Sequence, residues 1–535
     1  MHTLFVIYIA FAFCICCNYA TPGETLNAAI AATDATLDEI SNRWMIEHYP
    51  AFLHSVAMPH SSWATMRVRF ELKILKGLLT VANNTFVASF TGSSVTAGHD
   101  TDFKDTFTEL LGRRMESPLA KVNIKMVSRN AALGNNPCLP YDLCVTPFAG
   151  LDADVVHWEQ SFNCNCDNKH QSLFEHFIRE SINLPNKPVV IFADSYQPNW
   201  GEDKCKEKKP IVITENEKKS LQLLNTTPVE IVADMNKNIL NEKFRGLTPF
   251  VEKYKSAGIQ LWSHGNYDHY KCHGPYIPTW GCCSASWHPS KEGHILRADH
   301  TAFFWLLIFR EALQKISTAL QADKDLPLLL HDAKAHIHGE AKYAPIQPLV
   351  ASRYPDNLRC FTSFQPRAEE SRSLEALVIP SGDGKPGFSS IIMEDINHKD
   401  IVSKAKARGY KDFKHVLYGN KDSGALSLKI NVTIEGIGFL CQPPGNWGKY
   451  PAGFQNFWDP EINTEVYLTT HVVDTTGFVF KVDAAERLTY TQKETKDSQS
   501  WLCVDFDKPL PQGSHVMSIV PTTDVKVMFA YLLIP

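Results

Sequence analysis

Between residues 85 and 316 the apolar positions follow two alternating rhythms. Five short runs are rich in β-branched and aromatic residues: Thr85–Phe90, Val122–Val127, Ala153–Trp158, Pro188–Ala193 and Gly258–Trp262. They are too short for helices and read as strands. Stretches with apolar residues three and four apart separate most of them: Phe103–Met115, Leu173–Ile182 and Met235–Ala257, the last with a break at Pro249. A final helix is expected from Lys291 to Ile316. Its centre, Phe303 to Phe309, is strongly apolar, but Arg297, Asp299, Arg310 and Glu311 flank it. That is the pattern of a buried helix rather than a membrane span. Strand–helix alternation predicts an α/β domain over 85–322, with a parallel sheet covered on both faces.

The flanking regions differ. Ile30, Thr33, Leu37, Ile40 and Trp44 recur at helical spacing up to Pro50, so 21–84 begins as an N-terminal helical extension. Residues 51–84 show no clear period. Around 323–348 the pattern loosens and Pro327, Pro345 and Pro348 accumulate, as in a linker. From 349 to 535 short β-rich runs return: Ala376–Ile379, Ala425–Val432, Val466–Val473, Gly477–Val482, Trp501–Phe506, His515–Ile519 and Val525–Leu533. Turn residues divide them, which predicts an antiparallel, jelly-roll-like sandwich.

Composition narrows the setting. The 535 residues are 44% hydrophobic and 21% charged, with a net charge of −5, so a nucleic-acid partner has no electrostatic footprint. Leu4 to Cys17 is an unbroken apolar run followed by Asn18-Tyr19-Ala20, which reads as a secretory signal over 1–20. Its leading residues carry only His2, so a retained anchor stays open. Without one, no transmembrane span is expected after signal removal. Of the 14 cysteines, Cys14, Cys16 and Cys17 lie in this run and leave an odd number outside it. Pairing of Cys138 with Cys144 is plausible, as is Cys272 with Cys282 or Cys283, and Cys360, Cys441 and Cys503 can supply one bridge. Sequons at Asn83, Asn225 and Asn431 are compatible with glycosylation in a secreted chain.

The candidate chemistry sits on the first strand–helix connection, Phe90-Thr91-Gly92-Ser93-Ser94-Val95-Thr96-Ala97-Gly98. A small, hydroxyl-rich loop there exposes a side chain at the carboxyl edge of a parallel sheet. A serine so placed is a nucleophile if a histidine reaches it. Trp287-His288-Pro289-Ser290-Lys291-Glu292-Gly293-His294 follows the last strand and precedes the final helix. Together the two segments resemble the SGNH (GDSL-like) hydrolase superfamily. Gly92-Ser93-Ser94-Val95-Thr96-Ala97-Gly98 is similar to that family's Gly-Asp-Ser-Ile/Leu-Thr-x-Gly, with Ser93 in place of Asp. His288-Pro289-Ser290-Lys291-Glu292-Gly293-His294 is similar to its His-Pro-(Asn/Ser)-x-x-Gly-His.

The resemblance implies a five-stranded flavodoxin-like sheet and catalysis by Ser94 with His288 as base. It also implies an oxyanion hole built from the backbone N–H groups of Ser94 and Gly134 and the side chain of Asn163. Asn130 and Gly134 match the family's Asn-x-x-x-Gly, and the run from Asp154 through Asn163 is similar to its Asp-hydrophobic-hydrophobic-x-x-Glu-x-Gly-x-Asn-Asp, with Ser161 for the glycine and Cys164 for the final Asp. Without the resemblance, 130–134 is a plain turn, Asn163 a loop cap and Glu159 a solvated side chain. One departure is large. The acid expected three residues before His288 is Ala285. A backbone carbonyl, or a carboxylate such as Asp268 or Glu292, would have to orient the imidazole, or the site is degraded and only binds.

The resulting expectation is a secreted serine hydrolase acting on a small-molecule or polysaccharide acyl ester, such as a carbohydrate O-acetyl group, with no metal and no organic cofactor. A non-catalytic carbohydrate-binding protein and an O-acyltransferase are the alternatives. His264, His269, Cys272 and His273, and separately His336 and His338, lack a paired zinc spacing. Asp102 reads as a helix N-cap. Trp447, Tyr450, Phe454, Phe457 and Trp458 are either sandwich core or a sugar-stacking surface.

Overall fold

A computed structural model describes residues 20–46, 56–57, 60–160 except 100, 135 and 137, 171–194, 248–254, 257–263, 289, 291–339, 348–392 except 353 and 381–383, 402–442, and parts of 457–535. The signal-like segment, His288, Asn163, Ala285, Asp268, the 264–273 histidine cluster and Trp447, Tyr450 and Phe454 lie outside the described residues.

In chain order the first part contains α1 (Pro22–Trp44), β1 (Val56–Ala57), α2 (His60–Leu78), β2 (Thr85–Phe90), α3 (Ser94–Ala97), α4 (Phe107–Ala120), β3 (Lys125–Asn130), α5 (Val145–Ala149), β4 (Val155–Trp158), α6 (Gln171–Asn183), β5 (Val189–Asp194), α7 (Thr248–Tyr254), β6 (Ile259–Ser263), α8 (Lys291–Gln321) and α9 (Leu326–His338). The sheet order is β1-β6-β5-β4-β2-β3. β2 to β6 are all parallel, and β1 joins the β6 edge antiparallel. Counted one to five along the chain, the parallel strands run 2-1-3-4-5, the flavodoxin-like order expected from the resemblance. The antiparallel edge strand was not expected.

Both sheet faces are apolar, as parallel strands under two helical layers must be. Phe86, Ala88, Phe90, Val155, Val189 and Ile191 pack in one core with α1, α2, α4, α8 and α9. Val156, Trp158, Val190, Phe192 and Ile259 pack in the other with α5, α6 and α7. α1 opens on a capping box between Thr21 and Glu24 with Pro22 in its first turn. β3 begins three residues later than the apolar pattern predicts. Val122 and Ile124 are spent instead on the end of α4, where the Ile124 N–H donates to Leu119 O and Asn123 turns at φ 54°.

Two helices were not legible as such. α2 hides its period because charged residues are buried in it: Arg69 and Lys73 both reach Asp154 at the start of β4 (3.1 and 2.7 Å). α9 occupies the stretch read as a linker, and its Ala333 and Ile337 pack into the first core.

The paired strands described in the C-terminal part are antiparallel. One sheet has the spatial order Ala485–Glu486, Phe478–Val482, Gly513–Pro521, Leu426–Val432 and Val378–Ile379. A second runs Leu502–Asp505, Phe439–Gln442, Tyr531–Ile534 and Arg359–Thr362. Their shared core takes Leu428, Ile430, Phe480, Met517, Leu532 and Ile534. Tyr531 and Leu533, which alternate with Leu532 and Ile534, belong instead to the core that contains Trp158 and Phe192. The second sheet is therefore buried on both faces, between its partner sheet and the α/β domain, which explains why Tyr531–Ile534 reads as continuously apolar. A disulfide fastens this junction. Cys144 pairs with Cys360 (Cα–Cα 5.2 Å), which corrects the expected Cys138–Cys144 bridge. Cys144 immediately precedes α5, and α5 faces Arg359–Thr362 across the junction. Cys138 is also disulfide-bonded. Cys441 and Cys503 form the bridge expected within the sandwich.

Candidate functional site

β2 lies at the point where the chain's strand order reverses, the position from which doubly wound sheets build their sites. Hydrogen bonding continues past the ends of its neighbours. Thr91 N–H donates to His157 O (2.9 Å) and Ser93 N–H to Glu159 O (2.7 Å) on one side. Ala131 N–H donates to Phe90 O (2.9 Å) and Leu133 N–H to Gly92 O (3.0 Å) on the other. Residues 91–93 are thus laced between two strand ends before the chain turns into α3. Ser93 caps that turn, its Oγ accepting from Val95 N–H. Gly98 ends it at φ 90°, a conformation a side chain would strain. The two serines separate by environment: Ser93 is buried and Ser94 is half-buried.

Sequence reasoning missed what lies beneath them. Glu159 is fully buried; Ser93 Oγ (2.7 Å) and Thr96 Oγ1 (2.9 Å) both donate to its Oε2. Burial pushes its carboxyl up to about 7, against the opposing pull of the Arg297 charge and the hydrogen bonds from Ser93 and Thr96. His157 is also buried, which drives its imidazole down to about 4. Asn130 secures α3 from the side: its Nδ2 donates to Thr96 O (2.7 Å), and its Oδ1 accepts from Ala132 N–H (3.1 Å). Only the Glu in the Asp154–Asn163 pattern hinted at this arrangement.

Gly134 sits where a Cβ would lie 2.3 Å from His99 Cε1, so only glycine fits. Its N–H donates to Asp412 Oδ2 at 3.0 Å. The same oxygen meets His99 Nε2 at 2.8 Å. Lys414 Nζ donates to Gly134 O (2.8 Å). Burial alone would raise the Asp412 carboxyl, but the His99 charge and hydrogen bond, Lys414 and the Gly134 N–H together hold it below the ordinary carboxylate value. Asp102 occupies the N-cap position of a short 3-10 turn, yet its side chain makes no cap; Arg408 Nε donates to its Oδ1 (3.2 Å).

The start of α8 is fixed against the same neighbourhood. Lys291 pairs with Asp105 (3.1 Å). His294 Nδ1 accepts from Phe107 N–H (3.1 Å), so this imidazole nitrogen carries no proton, and the two rings stack. Phe107 in turn packs edge-on against Phe90 at the end of β2. Glu292 lies in the first turn of α8. His336 and His338 are exposed on α9. Among the described residues no cluster of His, Cys, Asp and Glu is arranged to hold a metal, and no helix is long and apolar enough to cross a membrane.

No family model matches the chain, and no curated protein matches it. Among solved structures it is similar to a two-domain esterase active on acetylated mannans, at 11% identity over 86% of this chain and 95% of that chain, with a TM-score of 0.36. It is likewise similar to a structure of such an esterase co-crystallized with mannopentaose, at 11% identity, the same coverage and a TM-score of 0.38.

Proposed function

We propose that the protein is a secreted serine hydrolase of SGNH type that cleaves an acyl ester, with a carbohydrate O-acetyl group as the substrate class. The observation that carries this reading is the placement of Ser94. It is the half-buried residue that opens α3 after β2, at the reversal point of a flavodoxin-like sheet. His288 is three residues before Lys291, which is tied to Asp105. Three extended residues span at most about 10 Å. The start of α8 packs through His294 on Phe107, which meets Phe90 at the end of β2, and this supports assigning the base to His288, itself outside the described residues.

In this reading Ser94 Oγ attacks the ester carbonyl while His288 takes its proton. The Ser94 N–H and the Asn163 side chain donate to the oxyanion. Gly134 N–H joins them only by exchanging Asp412 for the substrate oxygen. The alcohol leaves with the proton held by His288, and water releases the acyl group from Ser94 by the same relay. The Cys144–Cys360 and Cys441–Cys503 disulfides are of the kind an oxidising compartment sustains. Transfer to an acceptor hydroxyl instead of water would make the same site an O-acyltransferase.

Ala285, in place of the orienting acid, favours a second reading: a carbohydrate-binding protein that keeps the cleft without turnover. A fluorophosphonate probe separates the two. The hydrolase labels at Ser94 and cleaves p-nitrophenyl acetate; Ser94→Ala and His288→Ala each lose labelling and more than about 1000-fold in turnover. A folded wild-type protein that neither labels nor cleaves the ester is the binding protein.

A further inference from the structure

We infer that the C-terminal part completes the catalytic centre, with Asp412 as a positioning residue that sets the spacing between the Ser94 loop and the Gly134 loop. One carboxylate oxygen holds both loops, meeting His99 Nε2 at 2.8 Å and Gly134 N–H at 3.0 Å. Two residues further on, Lys414 Nζ donates to the Gly134 carbonyl at 2.8 Å. One segment of the C-terminal part therefore grips Gly134 by both its N–H and its C=O. On the other side, His99 is coupled to the nucleophile through the backbone: the N–H groups of Gly98 and His99 both donate to Ser94 O at 3.0 Å. The segment is seated by further bonds to the same loop, Tyr410 OH to Thr101 O (2.8 Å) and Phe103 N–H to Arg408 O (3.1 Å). His99 and Asp412 are each buried, so water does not stand in for either partner if the other is removed.

A serine nucleophile and an oxyanion loop must keep a fixed separation for attack to be productive, and a shift of about 1 Å costs about 100-fold. Asp412 is the group that both loops share; when Gly134 N–H exchanges it for the substrate oxygen, the His99–Asp412 contact and the Lys414 bond to Gly134 O keep the spacing. This inference rests on the Ser94 hydrolase reading. Its sequence distance of 313 residues from His99 is why no local motif announces it.

The test uses the full chain and four variants: Asp412→Asn, Asp412→Ala, Arg408→Met and Ser94→Ala. Arg408→Met removes the part-exposed ion pair with Asp102 at the same junction and controls for general loosening. In Asp412→Asn, kcat for p-nitrophenyl acetate is expected to fall about 10- to 100-fold with KM changed less than about 2-fold. The rate of fluorophosphonate labelling at Ser94 should fall by the same factor. Hydrogen exchange should rise in both 92–99 and 130–134, more in Asp412→Ala, while Arg408→Met stays near wild type in every readout. Wild-type kcat and labelling in a folded Asp412→Asn overturn the inference and leave the hydrolase reading standing. An equal loss in Arg408→Met, or a loss that only tracks the unfolded fraction, reduces Asp412 to a structural residue. A folded wild-type protein that, like Ser94→Ala, neither labels nor turns over the ester sinks the hydrolase reading itself, and the positioning role with it.

Discussion

Replacing Glu159 by Gln should change the pH dependence of stability more than stability itself. Glu159 is fully buried beneath the nucleophile loop, and its carboxyl is raised from the ordinary 4.5 to about 7, chiefly by burial. An acid with a raised folded-state value contributes stability that is complete below the unfolded value. That contribution is lost as pH climbs through the folded one, because the unfolded chain gives up its proton first. Each pH unit of difference is about 1.4 kcal/mol, so the wild type gives up about 3 kcal/mol from this group between about pH 4.5 and pH 7. Gln has the shape of the protonated acid, still accepts from Ser93 Oγ and Thr96 Oγ1, and does not titrate. The stability of Glu159→Gln relative to wild type should therefore rise by about 3 kcal/mol from pH 4.5 to pH 8. Urea unfolding followed by tryptophan fluorescence at a series of pH values measures this difference, and other titrating groups such as Glu180 cancel from it. A mutant-minus-wild-type difference that is flat across that window would show that Glu159 is ionised throughout, held so by Arg297, and the burial argument would be wrong.

Two further outcomes follow from the packing. Asp154→Ala strips the shared partner from Arg69 and Lys73 and leaves two cations in the core; a loss of about 3–5 kcal/mol is expected in the same urea assay, and a loss below about 1 kcal/mol would contradict the buried triad. Cys360→Ala opens a cross-link spanning 216 residues, for which chain entropy sets an upper value of about 5 kcal/mol; its melting temperature should drop and cease to respond to reductant at this bridge, and an unchanged melting temperature would show that the junction core holds without it.

Much of the α/β core was legible because its strands satisfy two apolar faces at once: Val189 to Ala193 is apolar at every position for that reason. The position of Ser94 after β2 was equally legible, since a Gly- and Ser-rich loop between a strand and a helix has few places to go. α2 was not, because Arg69 and Lys73 point inward to Asp154 and erase the apolar period. The strand Arg359–Thr362 was missed for the opposite reason: its short run carries Arg359 and Thr362, and its pairing with Tyr531–Ile534 joins segments about 170 residues apart. Local spacing determined which residues could do chemistry. Tertiary structure decided their surroundings: that Glu159 is buried under Ser93 and not solvated, that Gly134 N–H faces Asp412, and that Cys144 reaches Cys360. Each of these depends on contacts between distant segments, and burial and hydrogen-bond geometry between distant segments leave no periodic mark on either one.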